Sequence, residues 1–454
     1  MNNFRPINRG TDYLLPPSVD EWLPEQHLAR FVVEVIDQMD LSALTKVYRG
    51  SGSASYHPAM LLALLVYGYA TKVFSSRALE RATYDSVAFR FIAGNEHPDH
   101  DTIANFRKRF IGQIEPLFLE VLKMARAMGM LKLGTVALDG TKLHASASRH
   151  SALSYEHAQK IEAQLKQEVQ QLLLMADSVD KSDVPDGMDI PEELARRETR
   201  LQAIAAAKAE IEARAKERFQ REQAEYEAKV AARKKKEEET GKKPGGNDPK
   251  PPSGSAPLPK DQVNLTDPDS RIMPVAGGGF EQCYNAQAAV ATGSMLVVAT
   301  EVTQSPNDKG QIAPMVEKLT AQADQLGAVE KLLADTGYMS AANVEACEKA
   351  GIEPMIAMGR DPHHGGLMER FAAAPPAPPP EATPVQKMAH RLKTPEGKKV
   401  YGLRKQTPEP VFGIIKSAMG FRQFMLRGLE NVRGEWNLVT MAWNIKRLFV
   451  LQAA

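Results

Sequence analysis

The stretch Leu131-Lys-Leu-Gly-Thr-Val-Ala-Leu-Asp139 is a short run of β-forming residues that ends on an acid. Residues 141–146 predict a second strand directly after it. A later apolar run, residues 329–334, also ends on an acid, Asp335, and a further strand is predicted at residues 354–358. Helical patterns separate these later strands. Strands that alternate with helices in this order predict an α/β sheet, to which we expect the rest of the chain to attach.

Two more strands, residues 283–291 and 295–303, are joined by Thr-Gly-Ser, which predicts a hairpin turn. Residues 148–262 are first rich in Ala, Glu, Lys, Gln and Arg and then in Pro and Gly. That composition predicts a long helical hairpin or a short coiled coil, followed by a flexible linker. Because strand-forming sequence precedes and follows this segment, we predict that it is an insertion into one α/β domain, made of residues 131–147 and 263–448.

Residues 1–130 predict an all-α N-terminal domain. Apolar residues recur at helical spacing between Leu28 and Ile36, and an almost wholly apolar helix follows at about residues 58–73. A later helix, beginning near Thr102, carries the basic residues Arg107, Lys108 and Arg109. Compact helices that end in a basic one suit DNA binding. The alternative is a helical bundle whose basic residues form a solvated face.

The 57 Lys and Arg nearly balance the 56 Asp and Glu, so the total charge of +1 indicates no partner. Residues 391–447 differ, because they hold twelve Lys or Arg and four Glu, a net charge of +8. A Pro-rich stretch, residues 361–395, predicts a flexible loop. Two cysteines are too few for a disulfide framework, which favours a reducing cytoplasm. The most apolar stretch, residues 60–69, is about half the roughly 20 residues of a membrane span, so we expect no membrane insertion.

Two acids could carry chemistry. Asp139 and Asp335 end separate strands, and each is followed within two positions by a glycine. The carboxyl edge of an open α/β sheet is where such folds place their ligands, and two acids there could hold a hard divalent cation. The alternative is that each aspartate only forms a turn.

Glu409 is the candidate for a third carboxylate. It follows Thr407 and Pro408, a pair that predicts the start of a helix. Lys416, seven residues further on, would lie on the same face of that helix, two turns away. An acid and a lysine on one face would offer a metal ligand and a cation for a phosphate. The alternative is an exposed helix with ordinary charges.

With these residues, the sequence resembles the bacterial insertion-sequence transposases that carry an Asp, Asp, Glu signature. The resemblance covers most of residues 15–150 and 262–448. It is carried by the three acids and by several short segments: Asp139-Gly-Thr, Asp335-Thr-Gly-Tyr, Leu265-Thr-Asp-Pro-Asp-Ser-Arg271, Tyr284-Asn-Ala-Gln287, Arg427-Gly-Leu-Glu-Asn-Val-Arg-Gly-Glu-Trp436 and Phe106-Arg-Lys-Arg-Phe110.

The resemblance implies an RNase H-like catalytic domain with a mixed sheet, two Mg²⁺ ions, for which Mn²⁺ substitutes, and transfer of DNA strands. Asp139, Asp335 and Glu409 match the metal-binding catalytic acids. Lys416 matches the lysine of a Tyr, Arg, Glu, Lys pattern found in related transposases. Lys405 occupies the arginine position of that pattern and Gly402 the tyrosine position, whereas Tyr401 and Arg404 are each shifted by one.

The expected DNA contacts combine these positions with the basic C-terminal region: Arg404, Lys405, Lys416, Arg422, Arg427 and Arg433. We expect a transposase that acts as a homodimer on DNA, in the cytoplasm and associated with the nucleoid, with residues 148–262 as a candidate dimer contact. Two alternatives remain open. One is a catalytically inactive DNA-binding protein descended from a transposase, and the other is a helical scaffold whose α/β part is incidental.

Overall fold

The computed structural model describes residues 18–48, 55–177, 189–241, 245–252, 254–359 and 376–453. The chain divides into two compact units, one formed by Met1–His144 with Cys283–Ala454 and the other by Ala145–Gln282. Part of the expected Pro-rich loop, residues 361–375, and parts of the expected linker lie outside the described residues.

The described residues of the first unit begin with seven α-helices: α1 (Leu28–Asp37), α2 (Ser42–Thr45), α3 (Pro58–Ala70), α4 (Ser76–Asp85), α5 (Val87–Ile92), α6 (His100–Phe110) and α7 (Ile114–Ala127). Helix α3 starts with a proline, and the His57 ring nitrogen Nδ1 accepts the Ala59 N–H at its first turn. Eleven of its thirteen residues are buried, which explains why its sequence is apolar on every side. The region is helical, as expected.

Strand β1 (Gly134–His144) leads to the second unit. That unit contains β2 (Ala152–Ser154), α8 (Tyr155–Asp177), α9 (Ile190–Thr240), β3 (Gln262–Asn264) and β4 (Arg271–Pro274). Helices α8 and α9 pack together around a small apolar core that includes Leu165 and Ile204, and β2 pairs with β3. The ends of the unit meet, because the Ala145 N–H donates to the Gln282 carbonyl at 2.8 Å.

The first unit then resumes with β5 (Phe280–Ala291), β6 (Val297–Thr303), α10 (Ile312–Ala321), α11 (Ala323–Leu326), β7 (Val329–Ala334), α12 (Ala341–Lys349), β8 (Glu353–Ile356), α13 (Pro384–Lys393), α14 (Pro395–Gly402), α15 (Pro408–Ser417) and α16 (Leu429–Gln452). Its fold is mixed α/β. No helix among the described residues is long and apolar enough to cross a membrane.

The sheet is mixed, with the order β4-β5-β1-β7-β8 and with β6 also paired to β5. Strand β5 is antiparallel to both β1 and β6, whereas β7 runs parallel to β1 and β8 runs parallel to β7. Pairing of β1 with β7 reaches Ala137 and Leu333, and β7 ends one residue later. This register places Asp139 and Asp335 at the same edge of two adjacent strands.

Helix α16 joins the N-terminal helices to the sheet, since it packs against α3, α7 and β6. Its buried Asn444 accepts the Val297 N–H and donates to the Val297 carbonyl, both at 2.8 Å. The indole N–H of Trp436 donates to the Gln287 carbonyl at 2.9 Å. These side chains satisfy backbone groups that would otherwise be buried without partners.

Two sequence-based predictions of structure are wrong. Residues 131–146 do not form two strands, because Gly140 pairs with Gln287 within one continuous ladder and makes no turn. The predicted flexible loop at 361–395 is wrong over Pro384–Lys393, which form α13. There Thr383 and Gln386 make a reciprocal capping box, and the proline stands in the first turn, where no N–H is needed.

Candidate active site

Asp139 and Asp335 lie side by side because β1 continues past the point where β7 ends. The Asp335 Oδ1 atom accepts the Gly337 N–H at 2.8 Å, which starts a short helical turn, Thr336–Tyr338. A Cβ atom at Gly337 would lie only 3.0 Å from Asp335 Oδ1 and 3.7 Å from Asp308 Oδ2. Glycine therefore keeps a gap open between two carboxylates.

The electrostatics of this edge centre on Asp139. The pKa of its carboxyl is raised from 3.8 to about 6, mainly by burial and also by the negative charges of Asp335 and Asp308. The Gly140 N–H and the Arg404 guanidinium lower the pKa but do not cancel the rise. The raised pKa shows that the charged form of Asp139 is disfavoured by burial and by two neighbouring carboxylates, and a bound cation would stabilise that charged form.

Glu409 is linked to this edge through Arg404. The exposed Glu409 stands in the first turn of α15, and its Oε1 lies 3.5 Å from Arg404 Nη2. The Nη1 atom of the same guanidinium lies 3.7 Å from Asp139 Oδ2. The Arg404 Nε is buried, with no hydrogen-bond partner among the described residues. Arg404 thus lies between two of the three predicted acids, and its Nε–H makes no hydrogen bond to any described residue.

Lys416 ties α15 to β1. Its ammonium donates to the Thr141 hydroxyl and, at 3.1 Å, to the Lys142 carbonyl. Burial, followed by the positive charge of Arg422, lowers the pKa of Lys416. Lys416 therefore contacts β1 at Thr141, two residues after Asp139.

A polar network behind β1 was not predicted from the sequence. Asp308 accepts the side-chain amides of Asn285 and Gln287, each at 2.7 Å, and lies 3.8 Å from the Lys142 ammonium. The Tyr338 hydroxyl donates to the Gln287 side chain. The segments Tyr284–Gln287 and Asp335–Tyr338 each contribute to this network. No pattern in the sequence marks Asp308, which follows β6 in a loop.

The residues at this edge suit a hard divalent cation in type, because their donors are carboxylate oxygens. The glycine gap between Asp335 and Asp308 and the raised pKa of Asp139 both point to a place for positive charge. As they stand, however, no three acids, histidines or cysteines of the described residues are close enough together to hold a metal ion. Arg404 lies where Glu409 would have to approach Asp139.

The other basic candidates have different surroundings. The expectation of a DNA contact is corrected for Arg107, which is buried and donates to the Phe74 carbonyl at 2.9 Å, so its charge is used inside the protein. Arg433 is half-buried and forms ion pairs with Glu301 and Glu430. The remaining candidates are exposed: Lys108, Arg109, Lys405, Arg422 and Arg427.

Two family models match the chain. One is described as a transposase domain (DUF772) and matches residues 17–109, and the other as a transposase DDE domain and matches residues 379–449. The two matches support a DDE-type transposase of insertion sequences. No curated protein and no solved structure matches the chain.

The DDE match includes Arg404, Glu409 and Lys416, whereas Asp139 and Asp335 lie outside it. Transposases with this domain generally use divalent metals and act on DNA. The two matched segments meet in the structure, because the Tyr69 hydroxyl donates to the buried Glu435 carboxylate. The sheet that carries the two aspartates fills the interval between the matches.

Proposed function

We propose that this transposase cleaves DNA at the ends of an insertion sequence and joins those ends to target DNA by two-metal phosphoryl transfer. In this proposal Asp139, Asp335 and Glu409 hold two Mg²⁺ ions, for which Mn²⁺ substitutes. The catalytic domain is RNase H-like, a proposal supported by the strand order β6-β5-β1-β7-β8 with only the first two pairings antiparallel.

The observation that carries the proposal is the position of Asp139 next to Asp335, where β7 ends beside the parallel strand β1. Glu409 comes from a different element and is connected to Asp139 only through Arg404. In this proposal three acids from three segments of the chain converge on one edge of the sheet once the active complex forms. Ionising the buried Asp139 opposes folding, and a bound cation would offset that cost.

The side chains at this edge would have different roles in metal binding and DNA binding. Asp139 and Asp335 would hold the cations, which activate the attacking hydroxyl and stabilise the leaving oxygen. Arg404 would leave the acids when DNA and cations bind and would offer its guanidinium, including the unpartnered Nε, to a phosphate. Glu409 would then be released toward Asp139. Lys416 would keep α15 on β1 and place a positive charge beside the DNA backbone.

The DNA surface that we propose consists of Arg404, Lys405, Lys416, Arg422 and Arg427, with Lys108 and Arg109 as contacts from the N-terminal region. Arg433 would join it only by leaving its two glutamates. We also propose that residues 148–262 are an insertion into the catalytic domain. We further propose that the protein forms a homodimer on DNA. The meeting of the two ends of the second unit supports an insertion.

The experiment uses a supercoiled plasmid that carries the element with both of its ends. The wild-type protein should nick or linearise this plasmid when Mg²⁺ or Mn²⁺ is present, and Asp335→Asn should not. Both proteins should shift end-containing DNA in a gel, because the substitution removes a metal ligand and leaves the basic surface intact. Binding without cleavage by the wild-type protein, in both metals, would instead favour the inactive DNA-binding alternative.

A further inference from the structure

A side chain of β5 reaches across β1 to the turn that begins at Asp335. Strands β5 and β7 lie on opposite sides of β1 in the sheet. Gln287 of β5 pairs with Gly140 of β1, and residues paired in this way project to the same face of an antiparallel ladder. The side-chain oxygen of Gln287 accepts the hydroxyl of Tyr338, which follows β7. One hydrogen bond therefore connects the two neighbours of the strand that carries Asp139.

Gly140 leaves the space for this crossing. A Cβ atom at position 140 would lie 2.2 Å from Gln287 Nε2, which is far inside van der Waals contact. Gly140 stands in a continuous ladder and does not have a positive φ, so its backbone conformation does not call for glycine. The absence of a side chain at this position matters instead, because the Gln287 amide occupies the space above it.

The Gln287 amide is held in one orientation. Its Nε2 donates to Asp308 Oδ1 at 2.7 Å and to Asn285 Oδ1 at 3.1 Å. Because a carboxylate only accepts hydrogen bonds, these contacts leave Oε1 to accept the Tyr338 hydroxyl. The Gln287 carbonyl accepts the indole N–H of Trp436 at 2.9 Å, which fixes the backbone as well. Gln287 therefore gives Tyr338 an acceptor whose position is set by other elements.

Tyr338 passes this position on to Asp335. It is the last residue of the short turn that Asp335 begins, and its N–H donates to the Asp335 carbonyl at 3.2 Å. Asp335 Oδ1 accepts the Gly337 N–H within the same turn. The Tyr338 carbonyl accepts the side-chain amide of Asn343 at 2.6 Å. A shift of the Tyr338 ring would therefore move the backbone and the carboxylate of Asp335.

We propose that Gln287 and Tyr338 are positioning residues that set the separation between Asp335 and Asp139. Their hydrogen bond ties the turn after β7 to β5 across the strand that carries Asp139. Both side chains are fully buried, so they act through the two acids and not through contact with DNA. The inference rests on the proposed function, since it concerns the geometry of the same acids. The alternative is that the pair only stabilises the core.

Tyr338→Phe removes the hydroxyl and keeps the ring. The rate of end cleavage at saturating DNA should fall about tenfold or more, because small displacements of reacting groups have large effects on rate. The Mn²⁺ concentration for half-maximal cleavage should rise, whereas affinity for the end should not change. Tyr69→Phe is the matched control, since it also removes a hydroxyl from a fully buried tyrosine but lies in the Glu435 cluster. It should leave the rate and the Mn²⁺ dependence unchanged.

Hydrogen exchange of the full chain, without metal or DNA, gives a readout that does not depend on cleavage. Tyr338→Phe should accelerate amide exchange in the turn Thr336–Tyr338 more than in β1, and Tyr69→Phe should not. Gln287→Met, which has a similar length but no amide, should slow cleavage at least as much as Tyr338→Phe. Combining the two substitutions should add no further loss, because either one breaks the same hydrogen bond.

Each outcome decides the matter. Wild-type cleavage and Mn²⁺ dependence in Tyr338→Phe, or unchanged exchange in its turn, would overturn the positioning role and leave the proposed function standing. An equal loss of cleavage in Tyr69→Phe would also overturn it, since activity would then follow stability alone. Failure of the wild-type protein to cleave in either metal would contradict both proposals. If Tyr338→Phe does not fold, Gln287→Met takes its place in every measurement.

Discussion

The Tyr69 hydroxyl donates a hydrogen bond of 2.6 Å to the buried carboxylate of Glu435, which lies 366 positions later in the chain. The same carboxylate accepts the backbone N–H groups of Met425 and Leu426. Arg107 completes the cluster with a 3.3 Å hydrogen bond to the Tyr69 hydroxyl. A buried acid is tolerated only when such partners satisfy it, so the N-terminal helices and α16 depend on each other for stability.

We expect Tyr69→Phe to lower the free energy of unfolding by about 1–3 kcal/mol, because it removes one donor from a buried carboxylate and changes little else. Urea unfolding of the full chain measures this loss. Tyr84→Phe is the matched control, since that tyrosine is 55% exposed and its stacking on His97 survives the change. Equal stability of Tyr69→Phe and the wild-type protein would show that the hydrogen bond contributes nothing.

Asp139→Asn should make the metal-free protein more stable at neutral pH. The folded-state pKa of Asp139 is raised from 3.8 to about 6, so stability is lost as the pH rises through this interval and the carboxyl ionises. A shift of about two units corresponds to about 3 kcal/mol. Denaturant unfolding in EDTA at pH 7.5 should therefore give a larger free energy of unfolding for the variant than for the wild-type protein.

The difference in stability between Asp139→Asn and the wild-type protein should disappear below about pH 4, where Asp139 is protonated in both the folded and the unfolded state. Adding Mn²⁺ at pH 7.5 should stabilise the wild-type protein only, because a ligand that binds the folded state raises its stability. A variant that is less stable than the wild type at pH 7.5 in EDTA would argue against this assignment of charge.

Arg404→Ala should reduce binding to the element's ends far more than Lys405→Ala. Arg404 lies within 4 Å of both Asp139 and Glu409, whereas Lys405 is exposed. Loss of a charge-assisted contact to a phosphate is expected to lower end binding about tenfold or more. Fluorescence anisotropy with labelled ends gives the affinities, and comparable defects in the two variants would contradict the distinction.

Lys416→Ala should weaken binding to the element's ends and reduce the slope of log affinity against log salt by about one unit. Because the ammonium also bonds β1, the variant should lose about 1 kcal/mol or more of stability. Salt titrations of DNA binding separate the two effects. An unchanged slope with reduced stability would assign this lysine to the fold alone.

The sequence located Asp139 and Asp335 because an acid at the end of an apolar strand is a local pattern. It could not rank Arg404 above Lys405, since counting positions assumes one helical period. In the structure the 3₁₀ turn Leu403–Gln406 separates α14 from α15, and its tighter winding changes which side chain faces the acids. Here the residue shifted by one from the family pattern is the one in contact.

Which charged side chains are buried could not be predicted from the sequence either. Arg107 stands in a basic run with Lys108 and Arg109, yet it alone turns inward, because its face of α6 meets Tyr69 and the Phe74 carbonyl. Asp308 was missed because it lies in a loop without periodicity, and its partners come from a strand some twenty residues earlier. Such partnerships depend on how the strands are ordered, which local patterns do not reveal.

We propose that Asp139, Asp335 and Glu409 form one metal-dependent active site. A crystal structure of the protein with Mn²⁺, bound to DNA from an element's end, tests it most directly through the anomalous signal of the metal. The account predicts Mn²⁺ at the edge of β1 and β7, within coordination distance of Asp139 and Asp335, with Glu409 as a ligand and Arg404 moved from Asp139 to a phosphate. A DNA-bound structure with Mn²⁺ elsewhere, and with Arg404 still between Asp139 and Glu409, would contradict it.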